Sequence, residues 1–568
     1  MSLDAARSYL AFSHLEPELR ADLEDLTHRS EAWDAQAAED LADRFSEPLA
    51  FGTGGLRGIM AAGLKRMNAP NVRRATMALA AVATRRAPDQ KVAVVGFDTR
   101  LNSAAFGMEA AKVLAAAGYT VYLGDRPLPT PFLCFAMREL NSGCGVICTA
   151  SHNPKAYNGF KAYNATGGQL VAPWDAEVEA EMGRLPLVPE PPQAPAGAIR
   201  PIPVEVEQAY LRMGLDLLQH PKAFDPARIL FTPFHGTGGA FVPELFKQAG
   251  LPLVASPSQS VQDGTFPTAP RPNPEELAAY AAPLKEAEDQ GLEVILANDP
   301  DADRIGLVAK RDGAWELMSG NDLAALTLDY LCTQRGLQGV VVSTVVTSDL
   351  LAEVARHHGL PVMWTLTGFK NIAACMDRLE EVGEPYAFSA EESYGMLLSP
   401  RLRDKDGVTA ALLVGEMVGH FKALGLGPYE AVAALQAKVG TYHNRLVNLE
   451  DPRPGGAQRF AEAMGRIRAA GLATLGGEKV VAWEDFQAGE WHGPAGEVEP
   501  ILDRPERRDV ARPIDRSNVL KFRLEGGAFA AFRPSGTEPK LKVYLQSRTS
   551  PDLLDRLEAE ARRLLGLD

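Results

Sequence analysis

The run Gly145-Val146-Ile147-Cys148-Thr149-Ala150-Ser151-His152-Asn153-Pro154 restricts the local fold more tightly than any other stretch of this chain. An apolar segment ends at small residues, a serine and a histidine follow, and Asn-Pro then forces a turn. The pattern predicts a buried strand with an exposed loop at its C-terminal end, where open α/β sheets carry ligands and catalytic groups. A second turn, Asn158-Gly159-Phe160-Lys161, brings a cation. A hydroxyl nucleophile beside a candidate base and near a cation suits acyl or phosphoryl transfer. Taken alone, a Ser-His pair is better read as a serine that begins a turn beside a solvated loop histidine.

The chain has 568 residues, enough for about four domains. Its 46% hydrophobic and 23% charged residues suit a soluble globular enzyme. The net charge of -15 argues against general nucleic-acid binding, which needs a basic footprint. An anionic substrate stays compatible where local Arg and Lys meet its charge. The acidic N-terminus, Met1 to Glu24, has no signal-peptide core, and no run is long enough to span a bilayer, so no membrane association is expected. Five cysteines without a C-x-x-C pair or a Cys/His metal spacing read as reduced, buried thiols of a cytoplasmic protein. Cys144 and Cys148 fall on one face of the predicted strand.

In chain order, helices are expected to about residue 45, where Leu15, Leu19, Leu23 and Leu26 recur at helical spacing. The glycine-rich segment from Phe51 to Met60 lets amides approach a ligand, and its Arg57 can make paired bonds to phosphate. Its spacing is not a dinucleotide fingerprint. Helices at 71–86 and 103–117 alternate with strands at 91–95 and 120–123, which predicts a mostly parallel sheet. Asp98 and Arg100 either brace the active loop or pair only with each other, and the structural role is preferred. The proline-rich stretch 185–203 marks a first boundary. A helix at 204–219 and a strand at 228–231 lead to Thr232-Pro233-Phe234-His235-Gly236, where His235 is read as a loop histidine near a domain junction.

The next strand opens into Asn298-Asp299-Pro300-Asp301-Ala302-Asp303-Arg304. Alternating carboxylates are hard oxygen ligands suited to Mg²⁺, and without a cation they repel one another. An EF-hand fails, because Arg304 and Lys310 stand where it needs glycine and glutamate. Four further strings carry polar groups in loops: Thr367-Gly368-Phe369-Lys370, Ala390-Glu391-Glu392-Ser393-Tyr394, Arg403-Asp404-Lys405-Asp406-Gly407, and Arg533-Pro534-Ser535-Gly536-Thr537. The last is dense enough in donors to wrap an anion. Expected domains are 1–203, 204–316, 317–445 and 446–568.

These strings resemble, in order, the serine, metal, sugar and phosphate loops of the phosphohexomutases, the phosphoglucomutase and phosphomannomutase superfamily. Arg66-Met67-Asn68 and Tyr394 are most similar to the branch holding phosphoglucomutase-2 and phosphopentomutase. The resemblance implies an α/β fold of three mixed α/β domains plus a smaller C-terminal α+β domain around a central cleft. It implies a phosphoserine at Ser151, with Arg57 close by. It places Mg²⁺ on Asp299, Asp301, Asp303 and the Ser151 phosphoryl oxygen, with Arg304 on phosphate. Glu391 and Ser393 are the implied sugar contacts, with Thr367, Gly368, Lys370 and Arg403 on neighbouring ligand segments. Arg533, Ser535, Gly536 and Thr537 are implied for a distal phosphate. His152, Lys161 and Lys405 are the candidates for proton transfer. The family's leading sugar-loop glycine is Ala390 here.

The implied reaction interconverts glucose 1-phosphate and glucose 6-phosphate, with glucose 1,6-bisphosphate as activator and intermediate. Mannose and pentose phosphates are the alternatives. Small-molecule sugar phosphates are the expected partners, and the choice between monomer and homodimer is open. A phosphatase of the haloacid dehalogenase type, using an aspartate of the 299–303 loop, leaves Ser151 and the Arg533 loop unexplained. A non-catalytic acidic binding protein is disfavoured by the failed EF-hand spacing and the intact Ser151-His152 pair.

Overall fold

The computed structural model of the chain describes residues 2–51, 55–219, 228–453, 455–503, 516–535 and 540–567. These fold as two compact units. One comprises 1–318, 376–378 and 393–427; the other comprises 319–375, 379–392 and 428–568.

The first unit begins with helices Ser2–Leu10, Pro17–Glu31 and Ala35–Arg44, which bury Leu23, Leu26 and Leu41 among themselves. A six-stranded sheet follows, in the order β1 (Gly55–Ile59), β5 (Tyr157–Tyr163), β4 (Cys144–Cys148), β2 (Val92–Phe97), β3 (Thr120–Leu123), β6 (Ile199–Pro201). Strands β4, β2, β3 and β6 are parallel, and β5 and β1 form the antiparallel pairs at one edge. β4 is buried along its whole length, as expected of an apolar parallel strand covered on both faces. Helices Ala69–Arg86 and Ser103–Ala116 supply Val72, Ala75, Leu79, Phe106 and Leu114 to its core. Asn68 caps the first of these helices through Asn71 N, and Arg66 pairs with Asp40 and Asp43. The Arg66-Met67-Asn68 string therefore holds the N-terminal helices to the sheet.

A second sheet repeats the plan in the order β11 (Ala314–Leu317), β10 (Gly306–Arg311), β9 (Val294–Ala297), β7 (Ile229–Thr232), β8 (Val254–Ala255). Parallel β8, β7 and β9 are followed by antiparallel β10 and β11. In both sheets a buried parallel strand turns back into an antiparallel partner. The turn from β4 to β5 carries Ser151, and that from β9 to β10 carries the three aspartates.

In the second unit β13 (Val362–Thr365), β12 (Val340–Thr344) and β14 (Tyr386–Glu391) form a parallel set. The C-terminal part is an antiparallel sheet in the order 443–450, 540–547, 529–534, 520–524, 478–485, 490–492, 498–500. Helices Gly456–Ala470 and Pro551–Leu565 pack on it through Phe460, Met464, Leu554 and Leu557. The mixed α/β architecture and the antiparallel C-terminal sheet match the expected fold. All five cysteines are buried free thiols. Among the described residues, no single helix is long and apolar enough to cross a membrane.

One buried cation ties four segments of the first unit together. Arg73, 1% exposed, donates to Glu109 at 2.6 Å, Glu16 at 2.8 Å and the Pro189 carbonyl at 2.6 Å. Val188, next to that carbonyl, is buried against the N-terminal helices, so the proline-rich stretch is packed rather than free. Arg73→Met leaves two carboxylates without their counter-charge. The expected loss is about 3 kcal/mol in urea unfolding; a loss below about 1 kcal/mol is the behaviour of a surface pair and would contradict this reading.

Candidate active site

Ser151 follows β4 with φ 50°, a left-handed backbone that a β-carbon disfavours. Its N–H donates to Thr149 Oγ1 at 2.9 Å, and its Oγ donates to Asp299 Oδ2 at 2.6 Å. His152 Nδ1 lies 3.2 Å from the same Oγ. Arg57, exposed on β1, donates to Asn153 Oδ1 at 3.2 Å, which places it beside the serine loop.

The aspartates form a closed cluster. One carboxylate oxygen from each of Asp299, Asp301 and Asp303 lies within 4.8 Å of the other two, and all three residues are buried. The loop is shaped by its own polar groups. Asp299 Oδ1 accepts the N–H groups of Asp303 and Arg304, and Asn298 Nδ2 donates to the Arg304 and Gly407 carbonyls. Ala302, at φ 53°, turns the chain between the last two aspartates.

Cations arrive from other elements. Lys161 on β5 donates to Asp301 Oδ2 at 2.8 Å and Asp303 Oδ2 at 3.0 Å. Lys405 Nζ lies 3.0 Å from Asp303 Oδ2 and 3.2 Å from Asp404 Oδ1. Gly395 makes room for it, because a β-carbon there would stand 2.2 Å from the Lys405 Cδ. Arg304 pairs with Glu275, and its buried Nε has no hydrogen-bond partner. Thr130 Oγ1 donates to Asp301 Oδ2 at 2.8 Å.

The charges sort the carboxyls. Burial, with Asp303 and Asp301 adjacent, pushes Asp299 well above the usual carboxylate range. Burial acts on Asp303 in the same sense, but Lys161, Lys405 and Arg304 outweigh it and hold that carboxyl below its ordinary value. Burial would depress the Lys161 ammonium, yet Asp301, Asp303 and Asp404 hold it well above its ordinary value. Among the described residues, the buried Oδ1 atoms of Asp301 and Asp303 find no hydrogen-bond partner. An orphaned carboxylate oxygen is costly, and a divalent cation with hard-oxygen preference satisfies this donor set.

The second unit carries its own polar set. Glu391, at the end of β14, accepts the Gly368 N–H at 2.7 Å. Gly368, at φ 107°, precedes the helix Phe369–Val382, whose first residues include Lys370. Thr367 faces this turn through its carbonyl, which accepts from Asn371. Arg533 donates to the Tyr544 hydroxyl at 3.5 Å, and the Ser535 N–H donates to the Lys540 carbonyl. Gly536 and Thr537 lie outside the described residues. Ser393 is half-buried and belongs to the first unit, since the division falls after Glu392.

One expected ligand contact is otherwise committed. Arg403 is 1% exposed, and its guanidinium donates to Asp377 and to the Pro400 and Leu402 carbonyls. It braces the turn that presents Lys405. Sequence reasoning misses Thr130 and Glu392. Thr130 sits in Pro129-Thr130-Pro131, a helix-start signal with nothing local to link it to an aspartate 171 positions away.

Glu392 accepts from Thr347 Oγ1 at 3.1 Å, itself 2.8 Å from Thr344 Oγ1. Burial first, then Glu391, push its carboxyl up to about 7, against the smaller opposing pull of Lys542 and Arg533. A carboxyl raised in this way keeps its proton in the folded state after the unfolded chain, titrating near about 4.3, has released it. Stability therefore falls as pH rises between those values and levels off above the upper one. Glu392→Gln removes that loss. Its stability relative to the parent should rise by about 3 kcal/mol between pH values of about 4.5 and 8 in urea unfolding; a pH-independent difference would contradict the assignment.

Comparison with known proteins agrees with this geometry. Models of the phosphoglucomutase/phosphomannomutase alpha/beta/alpha domains I, II and III match residues 48–186, 209–313 and 319–435, and the model of the C-terminal domain matches 495–564. A phosphoglucomutase of Staphylococcus epidermidis is 32% identical over 521 residues, covering 90% of this chain and 92% of the relative. A Haemophilus influenzae protein named as a probable phosphomannomutase is 33% identical over 484 residues, covering 82% and 90%. The crystal structure of a phosphoglucomutase/phosphomannomutase family protein from Burkholderia thailandensis shares the fold, with a TM-score of 0.65 at 19% identity over 91% of this chain and 96% of that one. With all four domain models matched in order along most of its length, the chain belongs to the phosphoglucomutase/phosphomannomutase family.

Proposed function

We propose that this protein is a phosphoglucomutase that interconverts glucose 1-phosphate and glucose 6-phosphate through a phosphoryl group carried on Ser151. The observation that carries the reading is the Ser151 hydroxyl, held on a left-handed turn 2.6 Å from Asp299 in the carboxylate cluster. Full-length similarity to phosphoglucomutases supports the choice of sugar.

In this reading the oxygen of a free sugar hydroxyl attacks the phosphorus on Ser151. A bond from that oxygen to phosphorus forms as the Ser151 Oγ–P bond breaks, and the hydroxyl proton passes to a protein base. The glucose 1,6-bisphosphate so formed presents its other phosphate, and the reverse step returns a phosphoryl group to Ser151. Asp299, Asp301 and Asp303 would hold Mg²⁺, which supplies charge stabilisation to the transferring group. Lys161 and Lys405 are cations engaged by carboxylates, which suits them to stabilise charge on the transferring group. His152, at hydrogen-bonding distance from Oγ, is suited to exchange a proton there. Arg57 and Arg304 supply further positive charge. Glu391, with Thr367, Gly368 and Lys370 in the same unit, accepts sugar hydroxyls, Ser393 is a further sugar contact, and Arg533 with Ser535, Gly536 and Thr537 holds the distal phosphate.

Turnover of glucose 1-, mannose 1- and ribose 1-phosphate, each with Mg²⁺ and a trace of the matching bisphosphate, tests the reading. Glucose is expected to be preferred. Preference for mannose or ribose would overturn the substrate, and release of free phosphate from all three would overturn the mechanism. Ser151→Ala should lower kcat by more than about 1,000-fold while leaving sugar-phosphate affinity measurable by calorimetry. Arg533→Ala should weaken apparent sugar-phosphate affinity by about tenfold to a hundredfold, the worth of one or two charge-assisted hydrogen bonds; unchanged affinity would remove Arg533 from the distal site.

A further inference from the structure

In the sequence Arg100 reads as one half of a structural ion pair. Its surroundings connect it to the nucleophile. The side chain is fully buried, with its Nε 3.2 Å from Asp98 Oδ2. One terminal nitrogen donates to the carbonyls of Pro154 and Tyr157 at 3.0 and 3.2 Å, and the other to those of Ser151 and Asn153. Four carbonyls of a single seven-residue turn, 151–157, thus converge on one guanidinium. A planar fork with fixed donor directions meets this demand, and an ammonium cannot.

The same carboxylate also reaches Ser151 from the other side. Asp98 Oδ2 accepts from Thr149 Oγ1 at 2.6 Å, and Thr149 Oγ1 accepts the Ser151 N–H at 2.9 Å. Asp98 Oδ1 is fixed by Ser103 Oγ and the Arg100 N–H. Both peptide groups of Ser151 are therefore tied to the Asp98–Arg100 pair. Ser151 is held at φ 50°, and without those ties the residue would relax towards the negative φ that its β-carbon prefers.

Arg100 is itself seated by the part of the chain that carries the aspartates. Its guanidinium lies 4.9 Å from the centroid of the buried Phe266 ring, and its backbone bridges to Gly264. The segment holding both residues is wrapped around His235, whose Nδ1 and Nε2 are each 2.9 Å from partners, the Val261 carbonyl and Thr268 Oγ1. The glycine-rich string around His235 thus fixes the platform beneath Arg100.

We propose that Arg100 is a positioning residue for phosphoryl transfer, holding the Ser151 backbone in the left-handed turn that directs Oγ at Asp299. The proposal rests on the phosphoserine reading above. The Ser151 Oγ–Asp299 contact depends on a backbone angle that Arg100 and Thr149 impose, so loosening either displaces the reacting atom without removing a ligand contact. A displacement of about 1 Å at a reacting centre costs on the order of 100-fold in rate.

The test compares the parent with Arg100→Lys, Thr149→Val and Thr149→Ser, reading kcat and KM for glucose 1-phosphate, the fraction folded, and the phosphorylation of Ser151. Arg100→Lys and Thr149→Val should each lower kcat about 100-fold with KM within about threefold, in protein shown to be folded by circular dichroism. Thr149→Ser, which keeps the hydroxyl, should recover most of the rate. A kcat retained within about threefold in both variants overturns the proposal, as does a loss that only tracks the folded fraction. If Arg100→Lys does not fold, the Thr149→Val and Thr149→Ser pair decides by the same criteria. A parent that turns over substrate while Ser151 stays unphosphorylated overturns the underlying phosphoserine reading instead, and the two failures are thereby distinguished.

Discussion

Three carboxylates buried within 4.8 Å of one another repel strongly in a low-dielectric interior, and the first unit is arranged around meeting that charge. No single segment supplies the compensation. Lys161 comes from β5, Lys405 from the turn before the helix Gly407–Ala423, Thr130 from the start of the helix Thr130–Glu139, and Ser151 from the loop after β4. Two oxygens of the cluster are still left without hydrogen-bond partners among the described residues. The arrangement is therefore satisfied internally only in part, and its donor set could hold a divalent cation. Both lysines engage Asp303.

Backbone strain recurs where function is expected. Of the ten non-glycine residues with a positive φ among the described residues, Ser151, Ala302 and Tyr394, with φ between 50° and 67°, fall in the loops that the sequence reading assigned to serine, metal and sugar. Tyr394 is anchored by its hydroxyl to the Met318 carbonyl, and its own carbonyl accepts from Ile305 just beyond the metal loop. Such residues persist where surrounding contacts over-determine them. Here those contacts are long-range hydrogen bonds from Arg100, together with those of Thr149 and the Asn298 amide.

Much of this is legible in the sequence, because strands ending in polar loops combine a short-range pattern with a chemical signal. The Ser151 and Asp299 loops stand at strand ends as expected, and the helix at 103–116 falls within a residue of its sequence-based bounds. Two strands are not legible. β1 is glycine-rich and β5 includes Asn158-Gly159, so both read as turns; they become strands by pairing with each other, and β5 with β4. Tertiary pairing overrides local propensity there. Arg403, Glu392 and Thr130 escape a sequence reading for a related reason. What each touches depends on residues distant in sequence, and a charged or hydroxyl side chain carries no local mark of its burial. The same limit makes Arg100 look like a simple partner for Asp98, when its four carbonyl contacts lie more than fifty positions away.

The central claim is that Ser151 accepts and returns the phosphoryl group. The most direct measurement is peptide mass spectrometry of the dephosphorylated protein after brief exposure to glucose 1,6-bisphosphate and Mg²⁺, with the sugar products assayed in parallel. The account predicts one phosphoryl group on the serine of the Thr149-Ala150-Ser151-His152 segment and an equal amount of glucose monophosphate. Phosphate released to solution with Ser151 unmodified, or a phosphoryl group trapped on Asp299, Asp301 or Asp303, would contradict it.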